Sequence, residues 1–469
     1  MLVVLLSTLA SLVATVHGHP YGRGDSPLFS HNRSLNVGGG VLCPDAIGKQ
    51  EYGYIQVGPL NKYFYASVEA DMNPGTPSTV LFFGGGPGDS SIATAMSLSG
   101  PCRMTPDGKK LMKNEYSWTR QANVVWVDAP GPTGFSVGPV EADLNKFINN
   151  MLAFVTQFFK KHPNLNTNVH LVGVSSSALV VTMLGERIVN SPGSKVDLKG
   201  VMMYSGVVGP YDMYYGCFKM AKGRKLLPQA ELDTMLSDLR KCDEEVQKCN
   251  SKGPGKPPLP RMLIAMPWKP ARRRRFVLSR KPKSASELVE VLKTGMRPWG
   301  YDVRVSPGQE YQHYAFQPGR ADCFLNTPAV QKELGVSKHW EPSNDQVFQA
   351  FNKYTAYKGV YHTTQLLDSK LKVLVVNGDQ DYLTNAVGTT EWLFKLHGIE
   401  NYGSMLGQVT PVPLKDAKGR PFGNIQALKY GNAARLAFLE VTGGSHRLVL
   451  NEPVGMQQTL WAFLDGGLW

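Results

Sequence analysis

Apolar positions along the chain fall into two rhythms. Short, nearly continuous apolar runs occur at Ser78–Phe83, Val124–Asp128, Val169–Val174, Val201–Tyr204, Val373–Val376 and Leu436–Val441. Runs of this length bounded by glycines and prolines predict strands buried on both faces. Lys62 to Val68, rich in aromatic and β-branched residues, predicts a further paired strand. Between these runs the period changes. Phe147, Met151, Val155 and Phe158 share one face at helical spacing behind Asp143, a good N-cap residue, and Ala178 to Val189 reads as the helix after the third run. Strand and helix thus alternate, which predicts an α/β protein with a mostly parallel sheet covered on both sides. The alternation breaks near Pro210. Residues 211–325 hold one amphipathic helix, around Leu232 to Val246, and then a Pro- and Lys-rich stretch from Pro257 to Lys283 without periodicity. The expected organisation is a core in two parts, 41–210 and 326–469, with a cap insertion at 211–325 that carries a basic loop at 250–285.

Composition changes this picture at the ends of the chain and in that loop. Residues 1–18 read as a signal peptide: Leu2 to Val16 is almost wholly apolar, and Val16-His17-Gly18 offers small residues for cleavage. The run is shorter than the roughly 20 residues a membrane-spanning helix needs, so no span is expected. Residues 19–40 read as a flexible polar leader, with a sequon at Asn32 and a chance Arg-Gly-Asp match at Arg23. Six cysteines fit an oxidising compartment, and the spacing leaves their pairing open. It lacks the histidines or Cys-x-x-Cys pairs of a zinc site, so neither metal nor cofactor is expected. The net charge of +13 is local, since residues 252 to 283 contain eleven Lys or Arg and no Asp or Glu. That excludes a nucleic-acid-binding body and points to one basic loop, whose Arg272–Arg275 run is either a solvated surface or a site for a dibasic processing protease.

Three distant segments carry the chemistry: Gly173-Val174-Ser175-Ser176-Ser177, Gly378-Asp379-Gln380-Asp381 and Gly443-Gly444-Ser445-His446. Each follows a predicted strand, where open α/β sheets gather functional residues. Serine, acid, histidine is the chain order of the α/β-hydrolase triad, whereas other serine-protease folds use other orders. Ser175 is therefore the candidate nucleophile, His446 its base and Asp381 the group that orients the imidazole. Asp379 is the competing acid. Backbone N–H groups of Gly86, in the run Phe82 to Gly88, and of Ser176 are the candidate oxyanion donors.

These segments resemble the serine carboxypeptidase family. Phe82 to Ser91 is similar to its Trp-Leu-Asn-Gly-Gly-Pro-Gly-Cys-Ser-Ser motif. Val127 to Pro130 with Thr133 to Ser136 is similar to its Asp-x-Pro-x-Gly-Thr-Gly-Phe-Ser run, and Cys323 to Asn326 with Val330-Gln331 to its Tyr-Leu-Asn…Val-Gln segment. Asn377 to Asp381 with Gly388 and Trp392, and His446 with Pro453, complete the set. The resemblance implies an α/β-hydrolase fold, a peptide or acyl substrate, and substrate contacts at Phe82, Gly84, Gly85 and Val174. It also implies changes there. The family grips a terminal carboxylate with an Asn, a Trp and two carboxylic acids; the matching positions here are Gly84, Phe82, Val174 and Ser97 or Leu98. A family disulfide is absent at both ends, which are Asp89 and Ser343 in this chain.

The expected function is a hydrolase of serine carboxypeptidase type, cleaving peptide bonds through an acyl-enzyme and directed to the secretory pathway, either secreted or vacuolar/lysosomal. An esterase or acyltransferase on the same scaffold, or a non-catalytic binding protein, are the alternatives left by the altered carboxylate clamp.

Overall fold

The computed structural model describes residues 40–72, 77–250, 300–306, 308–354 and 356–469. The expected signal peptide, the leader up to residue 39 with Asn32, and residues 251–299 of the basic region with Arg272–Arg275 lie outside the described residues. Among the described residues there are twelve strands: β1 Gln50–Gln56, β2 Lys62–Val68, β3 Thr79–Phe83, β4 Cys102–Met104, β5 Leu111–Lys113, β6 Asn123–Val127, β7 Val169–Val174, β8 Leu198–Tyr204, β9 Lys372–Gly378, β10 Val412–Lys415, β11 Pro421–Lys429 and β12 Arg435–Val441. All but the β4–β5 pair belong to one sheet, in the order β1-β2-β6-β3-β7-β8-β9-β12-β11-β10. The six central strands, β6 to β12 in that order, are parallel, and antiparallel strands close both edges. This is an α/β-hydrolase sheet. The predicted strands are all present, and the strands β1, β10 and β11 join them at the edges of the sheet.

The strand runs are unbroken because both faces of the sheet are covered. Leu81 and Phe83 enter one core layer, with Phe147, Met151, Phe154, Val155 and Phe158 of helix α1 (Leu144–Lys161) and Val181 and Leu184 of α2 (Ser177–Val189). Val80 and Phe82 enter the other. Asp143 caps α1 as expected, its carboxylate accepting the Lys146 N–H at 2.7 Å.

The pattern break near Pro210 is not the end of regular structure. Pro210 opens α3 (Pro210–Gly223), where its missing N–H is one the first helical turn leaves unpaired in any case. The next helix, α4 (Gln229–Asn250), contains the predicted Leu232–Val246 segment. Helix α3 lies against α5 (Ala386–Leu393) at a glycine crossing: a Cβ on Gly216 would stand 2.3 Å from the Gly388 nitrogen. Helix α3 is thereby anchored to the helix that follows the candidate acid.

Among the described residues Cys43 and Cys102 form a disulfide, and Cys217 and Cys323 are unbridged. Asp89 and Ser343 pair as an isolated antiparallel bridge, and the Ser343 hydroxyl donates to the Asp89 carboxylate at 2.5 Å. A hydrogen bond thus stands where the resemblance implies a disulfide. A bridge pair has the Cα separation a disulfide requires. Asp89→Cys/Ser343→Cys is expected to oxidise spontaneously and, by closing a long loop, to add about 2–4 kcal/mol of stability. Denaturant unfolding with and without reductant checks this.

Candidate active site

The order of the central strands reverses at β3, whose parallel neighbours are β6 on one side and β7 on the other. In such sheets the crevice at the carboxyl ends beside the reversal is the binding place. The glycine-rich segment leaves β3 there and Ser175 leaves β7, with Phe83 and Gly173 paired in register.

Ser175 has φ +55°, a left-handed conformation that costs a non-glycine residue about 1 kcal/mol or more. The surroundings hold it there. Its N–H donates to Tyr204 O at 3.2 Å, and its carbonyl accepts the N–H groups of Ala178 (3.2 Å) and Val207 (3.1 Å). A sharp turn from strand to helix follows, with Ser176 at the start of α2 and its backbone N–H in the free first turn. Gly85 faces this turn. A Cβ there would lie 2.8 Å from Ser175 Cβ and 3.1 Å from Val174 O, so no other residue fits without displacement. Gly86, next in line, has φ +106°.

The glycine-rich segment is fixed by residues of the other motifs. Ser177 Oγ donates to Gly84 O, Gly84 N–H donates to Ser91 Oγ at 2.8 Å, and Ser91 Oγ donates to Val127 O at 2.6 Å. Ser90 Oγ accepts Trp340 Nε1–H at 3.1 Å and donates to Asp128 at 2.7 Å; Asp128 also accepts the Phe135 N–H at 2.9 Å. Desolvation outweighs these donors and pushes the Asp128 carboxyl up to about 6. Lys338 reaches into the following loop and donates to the carbonyls of Pro132, Gly134 (2.6 Å) and Ser136 (2.8 Å). Asn326 holds the strand of residues leading there, accepting Trp340 N–H at 2.7 Å. Sequence reasoning noted the motifs but not Lys338, which has no partner nearby in sequence.

β9 and β12 are adjacent and parallel, so the loops after them run side by side. His446 Nδ1 lies 2.9 Å from Asp381 Oδ2; Asp381 is fully buried and the imidazole nearly so. Asp379 is occupied differently, accepting the Gly443 N–H at 2.8 Å. The geometry therefore pairs the histidine with Asp381 and gives Asp379 a loop-tying contact. Thr384 joins the pair. Its Oγ1 lies 2.5 Å from Asp381 Oδ2 and 2.9 Å from His446 Nδ1, and its N–H donates to Asp381 Oδ1 at 3.0 Å.

Residues 300–304 pack against this group. Tyr301 stacks on the imidazole at 4.6 Å between centroids and 11° between planes, and its carbonyl accepts the His446 N–H at 2.8 Å. Gly300 O accepts the N–H groups of Tyr382 and Leu383, and Val303 N–H donates to Gln380 O at 3.0 Å. Asp302 and Arg304 brace this segment with a two-point contact at 2.9 and 2.6 Å. Beneath the acid loop, burial pushes the Cys217 thiol up to about 12, and Asp381 adds to the effect. The neutral thiol donates to Tyr382 O at 3.1 Å.

Among the described residues, Ser175 Oγ makes no hydrogen bond to His446. Of the four predicted substrate contacts, Gly85 faces Ser175, and Gly84 has both backbone groups engaged as above. Val174 is half-buried against the second core layer. Phe82 is not at the surface: it is wholly buried, edge-on to Trp118 at 5.8 Å.

Sheet order, strained serine turn and buried acid–histidine pair define a hydrolase of the α/β-hydrolase fold. The sequence matches the serine carboxypeptidase family over residues 44–466, and the chain belongs to that family. It is 25% identical over 455 residues to carboxypeptidase Y homolog A of Arthroderma otae, covering 94% of this chain and 79% of that protein. Carboxypeptidase Y of Candida albicans is 25% identical over 415 residues, covering 86% and 71%. Among solved structures, Kex1(delta)p, a prohormone-processing carboxypeptidase from Saccharomyces cerevisiae, superposes with a TM-score of 0.68 over 92% of this chain and 95% of its own, at 18% identity. The protein is a serine-type carboxypeptidase hydrolase by family. No helix among the described residues is long and apolar enough to cross a membrane.

Proposed function

We propose that this chain hydrolyses peptide bonds at the carboxyl terminus of its substrates through Ser175, His446 and Asp381. The observation that carries the reading is the 2.9 Å pairing of His446 Nδ1 with the buried Asp381, at the same sheet end as the strained Ser175 turn. Asp381 keeps the proton on Nδ1, which leaves Nε2 free to take the Ser175 proton. The reaction starts when Ser175 Oγ gives its proton to Nε2. Oγ attacks the scissile carbonyl, the carbonyl oxygen becomes negative between the N–H groups of Gly86 and Ser176, and His446 returns its proton to the leaving amine. Water then cleaves the acyl-enzyme by the same route. Losing one oxyanion donor in such sites costs roughly 3–4 kcal/mol of transition-state stabilisation. The apolar leading segment and the Cys43–Cys102 bridge support a protein of the secretory pathway, secreted or vacuolar/lysosomal. The basic loop, with Arg272–Arg275, is the candidate processing site.

A second reading, an esterase or acyltransferase, is favoured by the buried Phe82 and the apolar Val174, which cannot bind a terminal carboxylate. Release of the terminal residue from N-blocked dipeptides, compared with hydrolysis of the matching esters between about pH 4 and pH 9, separates the two. Both substrates should be cleaved. With Val174 before the nucleophile there is no paired carboxylic acid to protonate. The peptide rate is therefore expected to persist at and above neutral pH, with no acid optimum. Cleavage of esters with peptides untouched would replace the peptidase reading by the esterase one. A peptide-rate maximum near pH 5 would contradict the argument from Val174.

A further inference from the structure

We propose that the hydroxyl of Thr384 is a positioning group for His446, a fourth member of the catalytic arrangement. The inference rests on the reading of His446 as the base. Three polar atoms form a closed triangle: His446 Nδ1 to Asp381 Oδ2 at 2.9 Å, Thr384 Oγ1 to the same Oδ2 at 2.5 Å, and Thr384 Oγ1 to Nδ1 at 2.9 Å. All three residues are buried, so water does not substitute for any side of it.

Proton counting fixes the roles. Nδ1–H is the only ring donor on that edge and is shared between Oδ2 and Oγ1. The hydroxyl has one proton, and the carboxylate is its only acceptor in the triangle, so Oγ1–H donates to Oδ2. The hydroxyl thus accepts from the imidazole and donates to the acid. It fixes the angle between ring plane and carboxylate plane, which a single Nδ1–H···Oδ2 contact leaves free to swing. It also draws charge from Oδ2, so the ring proton stays on Nδ1 when the imidazolium forms.

The platform beneath Thr384 is rigid. Its N–H holds Asp381 Oδ1 at 3.0 Å, its carbonyl accepts Asn377 Nδ2–H at 2.7 Å, and the next residue, Asn385, caps α5 through the Gly388 N–H at 2.7 Å. These contacts are backbone or belong to neighbours. Removing the hydroxyl alone leaves them standing.

The test compares Thr384→Val, which keeps shape and loses the hydroxyl, with Thr384→Ser, which keeps the hydroxyl. Steady-state kinetics and the downfield proton resonance of the His446 Nδ1–H, assigned by its loss in His446→Gln, are read for each. Thr384→Val is expected to lower kcat about tenfold or more with KM within about twofold, and Thr384→Ser to restore most of it. The Nδ1–H resonance should move further downfield in Thr384→Val, because Oδ2 loses its competing donor, and return in Thr384→Ser. A wild type without turnover would remove the hydrolase reading, while the resonance still decides the role of Thr384. An unmoved resonance in Thr384→Val, or a Thr384→Ser variant as altered as Thr384→Val, would overturn the proposal.

Discussion

Ser175→Ala is expected to lower kcat/KM by about 10⁴- to 10⁶-fold and to abolish labelling by a fluorophosphonate probe. Nothing nearby stands ready to take over. Ser176 Oγ is buried without a partner, and Ser177 Oγ is committed to the Gly84 carbonyl, which it helps to fix. The loss should not be one of folding. Ser175→Gly is a useful companion, because glycine adopts φ +55° without the strain that a Cβ brings. Ser175→Gly should therefore be inactive yet at least as stable as the wild type, a pairing that separates stored backbone strain from collapse of the site. Thermal unfolding and intact-mass labelling check both. Retained labelling in Ser175→Ala would move the nucleophile elsewhere, whatever the family.

Much of the central sheet is legible in the sequence because both its faces are buried. A strand such as β3 then has no polar position to alternate with, and the run Val80–Phe83 stands out. α1 is legible for the complementary reason, a helix with one face on the sheet and a cap at Asp143. Helix α3 was less so. Pro210 resembles a stop, and only the tertiary contact with α5 at Gly216 and Gly388 shows that it is a start. The candidate triad positions could be read because each follows a strand. Spacing favours Asp381 over Asp379 through its three-residue offset from Gly378, but both sit in one short turn, and which of them meets His446 depends on the way each side chain points. The supports of the site were the hardest to see. Thr384, Tyr301 and Lys338 act through contacts with residues far away in the chain, and none belongs to a motif of chemical interest alone.

The two acids make the sharpest test of the geometry. Asp381→Asn is expected to reduce kcat by about 10⁴-fold, whereas Asp379→Asn should stay within a few-fold of wild type. The difference follows from the donors each carboxylate faces. Asp379 accepts a backbone N–H from Gly443, which an amide oxygen accepts equally well. Asp381 faces donors with both oxygens. Its Oδ1 takes the Thr384 N–H, which cannot rotate, while Oδ2 meets the Thr384 hydroxyl and His446 Nδ1. An asparagine must turn its oxygen to the fixed backbone donor and its NH₂ to the imidazole. Nδ1 then becomes an acceptor and the ring proton moves to Nε2, the atom that must be empty to receive the Ser175 proton. The variant would hold its histidine in place in the wrong tautomer, and the neutral amide would not stabilise the imidazolium. Equal losses in the two variants would mean that the acid's role is shared across the turn, and a larger loss in Asp379→Asn would reassign it.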